Sequence, residues 1–294
     1  MTIRFRQVGP GFAAEVEGLD LTQPLSQTAA AQVHAGMDEH AVLIFRGQQV
    51  SDEQHLAFSQ ALGPLEPPSR ASLRAASDNR LEETFADVSN LDRDDQPFAV
   101  DDRRRLFAIG NRLWHSDSSF KVIPAKYSIL RGVVLPSGGG NTEFADMRAA
   151  YDALDENTKA QLEDLVCEHS QLYSRQQIGF FEYSDEERAR FAPVRQCMVR
   201  THPATGRRSV YLSSHAGGIV GWPVPEARIF LRDLIEHATQ PHLVYRHHWQ
   251  TGDIVMWDNR QTMHRARPFP VDEPRDMRRT TLVGDGPTVA QAAS

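Results

Sequence analysis

Gly252-Asp-Ile-Val-Met-Trp-Asp-Asn-Arg-Gln-Thr-Met-His-Arg-Ala266 decides how this chain is read. A glycine turn leads into the apolar run Ile254–Trp257, which reads as a strand, and the strand ends in a polar cluster. His264 closes that cluster. Polar residues at the end of a rigid element are a common place for a site. Upstream, Trp114-His-Ser-Asp-Ser-Ser-Phe120 carries His115 and Asp117, two residues apart. On a strand end that spacing puts both side chains on one face, because the period there is two.

Two imidazoles and one carboxylate on one face of an octahedral metal leave three positions open. That is the ligand set of non-haem Fe(II) sites that activate O2. His115, Asp117 and His264 are therefore the candidate metal ligands. Arg275, eleven residues after His264, suits an anionic co-substrate that itself chelates the metal. With twelve histidines in the chain, a His-x-Asp pair alone is a weak signal. His34, His40, His55, His247 and His248 read as core or surface residues. His215 reads either as a pocket residue or as a turn support.

The chain has 294 residues, 40% of them hydrophobic and 24% charged, ordinary values for a globular protein. The net charge of −7 gives no support to a nucleic-acid or anionic-membrane role. Lys121, Lys126 and Lys159 are the only lysines, so nearly every cation is an arginine, suited to bidentate anion binding. Cys167 and Cys197 form no Cys-x-x-Cys pair, which argues against a thiolate zinc site. They read as indifferent thiols in a reducing cytosol, with a disulfide left open. The N-terminus lacks an apolar signal core, and the expected location is the cytoplasm.

Along the chain, residues 2–22 read as short strands around a Gly-Pro-Gly turn. Residues 27–40 read as a helix and Ala41–Phe45 as a buried strand. Ser51-Asp-Glu-Gln54 is a capping box opening a helix through Leu62. Residues 64–112 lack periodicity and read as a mobile loop. Strands are expected at 126–135 and 141–145, helix over 146–169 with a break near Asp155, and a hairpin around 203–206. A helix over 225–238 should turn Ile229, Leu231, Leu234 and Ile235 inward. Late strands are expected at 243–249, 253–257 and 277–283, and the tail from Pro287 reads as disordered. Strands flanking a central helical insertion at about 146–190 fit an antiparallel barrel or jelly roll decorated by helices, in one domain over 1–294.

Three stretches resemble the TauD/TfdA family of Fe(II)/2-oxoglutarate dioxygenases. They are Gly110-Asn-Arg-Leu-Trp-His-Ser-Asp-Ser-Ser-Phe120, Gly252 to His264, and Arg275-Asp-Met-Arg-Arg-Thr-Thr-Leu-Val-Gly284. The resemblance implies a mainly β fold, a double-stranded β-helix flanked by α-helices. It implies Fe(II), 2-oxoglutarate and O2 as cofactor and co-substrates. It gives His115, Asp117 and His264 as iron ligands, and Thr142 and Arg275 as the co-substrate's partners. Arg279 is placed on the anionic head of the primary substrate. If 275–283 is a strand, Arg275, Met277 and Arg279 share a face and Arg278 points away as a surface charge. The two arginines would lie about 13 Å apart and could serve two anions. Arg265 and Arg267 read as either pocket or solvated arginines.

Asp-Asp-Arg-Arg-Arg-Leu-Phe107 and Tyr-Leu-Ser-Ser-His-Ala-Gly217 bring the chain closer to the 2,4-dichlorophenoxyacetate dioxygenases within the family. Asn111 and Asn90 are candidate substrate contacts. The implied reaction is hydroxylation next to the ether oxygen of an aryloxyacetate, giving a phenol and glyoxylate. A carboxylate at 117 implies hydroxylation rather than halogenation. Taurine, alkylsulfonate or alkyl-sulfate oxidation is the alternative within the superfamily, since Arg279 suits either anion. A non-catalytic metal-binding β-barrel is the alternative outside it. The family precedent implies a homo-oligomer.

Overall fold

The computed structural model describes residues 3–67 and 80–291. The first strands are β1 (Arg4–Gln7), β2 (Ala14–Glu17), β3 (Val42–Phe45), β4 (Ala86–Asp87), β5 (Tyr127–Val134) and β6 (Thr142–Asp146). Next come β7 (Val166–His169), β8 (Val194–Cys197), β9 (Val199–Thr201), β10 (Arg208–Val210) and β11 (Ala216–Ile219). The last are β12 (Val244–His247), β13 (Ile254–Asp258), β14 (Thr262–Ala266) and β15 (Asp276–Thr281). A seven-stranded sheet runs in the order β1-β2-β3-β13-β5-β15-β4, and a three-stranded sheet in the order β12-β6-β14.

The large sheet is covered on both faces, which explains the continuous apolar runs in its central strands. Leu43, Phe45, Ile129, Ile254 and Met256 pack toward α1 (Gln27–His40) and α2 (Asp52–Leu62). The alternating residues Val42, Ile44, Leu130, Val255, Trp257 and Met277 pack with Phe144 of the small sheet. The capping box forms as expected: Gln54 N–H donates to Ser51 Oγ at 3.2 Å and Ser51 N–H to Gln54 Oε1 at 2.8 Å.

Several expectations need correction. The helical stretch breaks where Asp155 caps, into the helices Met147–Asp152 and Glu156–Leu162, but Val166–His169 is a strand. Its burial alternates, and it pairs with β8 and β11. The turn at 203–206 joins β9 to β10 as a hairpin, while β8 pairs with β7 instead. In the helix Val224–Ala238 the buried face is Ala227, Leu231, Leu234 and Ala238, and Ile229 is 54% exposed. Ile229 sits two residues before Leu231, about 200° around the axis. Of the stretch 64–112, residues 68–79 lie outside those described. The rest holds β4 paired to β15, the helix Arg103–Ala108 and a 3₁₀ turn at Ile109–Arg112. The tail docks on β8 through Thr288 and Gln291. Among the described residues no helix is long and apolar enough to cross a membrane.

Candidate active site

His115 and His264 meet through their backbones. Each donates its N–H to the other's carbonyl, at 3.0 and 2.8 Å, in an isolated antiparallel bridge. The bridge brings two residues far apart in sequence to a ring-centroid distance of 4.2 Å. The strand expected at 115–117 is only this bridge; a turn follows, with Ser118 at φ 55°. Asp117 still faces both imidazoles. His115 Nε2 lies 3.9 Å from its Oδ1 and His264 Nε2 3.7 Å from its Oδ2. One ligand atom from each of the three residues falls within 4.8 Å of the others, and all three are buried.

The donor chemistry fits a divalent metal. His115 Nδ1 lies 2.8 Å from the Leu113 carbonyl. A carbonyl only accepts, so Nδ1 carries the proton and Nε2 offers its lone pair. His264 is held by packing, 4.6 Å from the Trp257 ring and 6.1 Å from Phe144. Burial lowers the pKa of both imidazoles, keeping them neutral as ligands must be. Burial alone would raise the Asp117 carboxyl. The Arg279 guanidinium, helped by the Ser128 hydrogen bond, outweighs it and holds Asp117 well below the usual carboxylate range.

A layer that the sequence reading missed orients Asp117. Ser128 Oγ donates to its Oδ2 at 2.7 Å, and its own N–H donates to Asn259 Oδ1 at 3.0 Å. Asn259 Nδ2 donates to Ser128 Oγ, and Trp257 Nε1 donates to Asn259 Oδ1, both at 3.0 Å. The polar cluster ending β13 was the available signal.

Arg275 immediately precedes β15 and is 4% exposed. Among the described residues its guanidinium has long hydrogen-bond contacts to the Val88 and Gly140 carbonyls, at 3.4 and 3.5 Å, and lies 5.3 Å from the Phe269 ring centroid. Its Nε is buried without a partner among the described residues. Burial pulls its pKa down to about 10. An uncompensated buried cation of this kind calls for an anion. Thr142 Oγ1, two residues past Gly140, accepts from Trp249 Nε1 at 3.0 Å.

Arg279 donates from Nη1 to Asp117 Oδ1 at 2.6 Å, and its Nε has no partner among the described residues. It lines a cavity of about 630 Å³ with His115, Asp117, Asn111, Phe120 and His215. Arg275 lines a second cavity of about 650 Å³ with Asn90, Phe98 and Phe269. Val88, Ser89, Ala108 and Asn111 border both. Asn111 Oδ1 accepts from Arg175 Nη2 at 3.1 Å. Both ends of the Asn90 amide are used by backbone: Nδ2 donates to the Glu273 carbonyl at 2.9 Å and Oδ1 accepts from Arg275 N–H at 2.8 Å. Asn90 thus clasps the loop before β15.

Arg175 was also missed. It is buried, donates to the Phe107 carbonyl, Ser174 and Asn111, and reaches the metal-side cavity. His215 both lines that cavity and is tied to Ser174, with Nδ1 2.9 Å from Oγ. Arg278 faces away from the site as expected, but it is an internal ion-pair residue bound to Asp52 and Asp276 and not a free surface charge. Arg265 is paired to Glu143 at 2.7 Å, whereas Arg267 lines the Arg275 cavity.

Residues 4–281 match the family model for taurine catabolism dioxygenase TauD, TfdA family. The chain belongs to the TauD/TfdA family. It is 43% identical to the alpha-ketoglutarate-dependent 2,4-dichlorophenoxyacetate dioxygenase of Cupriavidus pinatubonensis, over 97% of this chain and 99% of that one. It is 34% identical to the (S)-phenoxypropionate/alpha-ketoglutarate-dioxygenase of Delftia acidovorans, over 96% of both chains. The crystal structure of AAD-2 in complex with Mn(II) and N-oxalylglycine superposes with a TM-score of 0.96 at 55% identity. That match covers 98% of this chain and 100% of the other.

Proposed function

We propose that this TauD/TfdA protein is an Fe(II)- and 2-oxoglutarate-dependent dioxygenase. Its substrate is an aryloxyacetate such as 2,4-dichlorophenoxyacetate, which it hydroxylates on the carbon beside the ether oxygen. The hemiacetal so formed collapses to a phenol and glyoxylate, while 2-oxoglutarate and O2 give succinate and CO2. One observation carries the reading. The buried His115, His264 and Asp117 converge within 4.8 Å of one another, and the adjoining cavity holds a buried Arg275 that has no anionic partner among the described residues.

His115, Asp117 and His264 would hold the iron, which supplies O2 activation when bound. Arg275 takes the distal carboxylate of 2-oxoglutarate, and the Thr142 hydroxyl is a further partner of the same molecule. Arg279 holds the substrate carboxylate by a charge-assisted pair. Phe120 and Ala108 give the metal-side cavity apolar wall for an aromatic ring. Placing the target C–H at the open face of the metal and excluding water is the protein's own contribution. A relative that holds Mn(II) and a dicarboxylate supports the pairing of metal and anion, and the 43% identical relative supports the substrate class.

The two facing sheets are read as a double-stranded β-helix core in one domain. The protein is further proposed to be a cytoplasmic homo-oligomer; its free Cys167 and Cys197 suit a reducing compartment.

The test is product analysis of the Fe(II)-loaded protein with 2-oxoglutarate and O2, offering 2,4-dichlorophenoxyacetate, taurine and an alkyl sulfate in parallel. Phenol and glyoxylate should appear together with succinate. Succinate stimulated only by a sulfur anion moves the substrate class. No 2-oxoglutarate turnover under any condition sinks the enzyme reading.

A further inference from the structure

The cavity that holds Arg275 contains more positive charge than the proposed reaction uses. Arg105, Arg112 and Arg267 line it as well, and among the described residues no carboxylate does. All three are half-buried. Among the described residues Arg105 and Arg112 have no anionic partner; Arg105 donates only to the Val100 carbonyl, at 2.6 Å. Arg267 Nε lies 3.8 Å from Glu143 Oε1, but that carboxylate already binds Arg246 and Arg265.

The three arginines feel one another. Burial lowers the pKa of Arg112, and the charges of Arg105 and Arg267 add to the effect. Clustered like charge costs folding free energy and is kept where it serves a ligand. The metal-side cavity is different: there the Asp117 carboxylate stands against Arg279. The two cavities meet only along the wall of Val88, Ser89, Ala108 and Asn111.

2-Oxoglutarate has two carboxylates. In the reading proposed above, on which this inference rests, one goes to the metal and the other to Arg275. The remaining three guanidinia are not needed to hold either carboxylate of the bound molecule, so their use lies on the way in. We infer that 2-oxoglutarate enters through an arginine-lined mouth of its own, separate from the substrate cavity. Arg105, Arg112 and Arg267 form a docking site for dicarboxylates on the path to Arg275.

The test is stopped-flow association of 2-oxoglutarate with the Mn(II)-loaded protein, read by tryptophan fluorescence, since Trp249 touches Thr142. The parent is compared with the Arg105→Gln/Arg112→Gln/Arg267→Gln variant over a range of salt. Charge steering raises association by about 10- to 1000-fold and fades with ionic strength. The variant should therefore bind 2-oxoglutarate at least ~10-fold more slowly at low salt, with a flattened salt dependence. Its dissociation rate, and the association rate of 2,4-dichlorophenoxyacetate, should match the parent's. Arg112→Gln alone, the mildest change, should show the same effect in smaller measure and covers loss of folding in the triple variant. Unchanged association of 2-oxoglutarate overturns the inference. Equal slowing of both anions does so too, because it means one shared mouth. A parent protein that never binds 2-oxoglutarate refutes instead the functional reading beneath it.

Discussion

Arg275 and Arg279 lie four residues apart on one strand and its lead-in, yet they stand in opposite states. Arg275 is buried with no anion beside it among the described residues, and burial brings its pKa down to about 10. Arg279 already holds Asp117 at 2.6 Å. The first is a receptor formed before its ligand arrives. The second has a standing partner, which is itself a metal-ligand candidate, and must exchange it. The difference matches the proposed division of the two anions: the constant co-substrate to the preformed cation, the variable substrate to the cation coupled to the metal.

Several changes would break or sharpen this contrast. The largest effect is expected from Asp117→Ala, which removes a ligand and leaves Arg279 unpaired. Hydroxylation should be abolished or nearly so, measured as phenol release; retained activity would contradict the ligand assignment. Arg279→Gln should raise the KM for the aryloxyacetate by about 10- to 150-fold, the equivalent of a lost charge-assisted hydrogen bond of about 1.5–3 kcal/mol. Steady-state kinetics should find the 2-oxoglutarate KM nearly unchanged. Next comes Ser128→Ala, which frees one oxygen of Asp117. Loss of such an outer partner weakens metal binding by about 10- to 100-fold, which Mn(II) titration would detect. The smallest effect is expected at Asn90→Ala. Its amide holds only backbone, so the variant should lose about 1–2 kcal/mol of stability in denaturant unfolding while the substrate KM stays within a few-fold. A large rise in substrate KM alone would return Asn90 to the substrate-contact role first expected of it.

Much of the site could be read in the sequence because its residues occupy fixed spacings. His115 and Asp117 are two apart, and Arg275 and Arg279 are four apart, in one strand and its lead-in. The apolar run at 254–257 is continuous because helices cover one side of its sheet and the small sheet the other. Other features depend on tertiary pairing that leaves no local trace. Strand β14, which carries His264, reads Thr-Met-His-Arg-Ala and lacks a strong alternation. Its partner is β6, more than a hundred residues earlier. Ser128 sits in a strand that reads as plain core, and only its register opposite Trp257 brings it to Asp117. Arg175 looks like an ordinary helix arginine until Gly110 lets it approach; a Cβ there would lie 2.5 Å from its guanidinium carbon. The stretch 80–112 looked structureless because its order comes from β15 and from the Asn90 clasp rather than from its own periodicity.

The most direct test is calorimetric titration of 2-oxoglutarate into Mn(II)-loaded Arg275→Gln and Arg279→Gln proteins, beside the parent. The account predicts loss of binding by about 10-fold or more in the first and near-parent affinity in the second. Binding lost in Arg279→Gln and kept in Arg275→Gln would reverse the two sites and contradict the account.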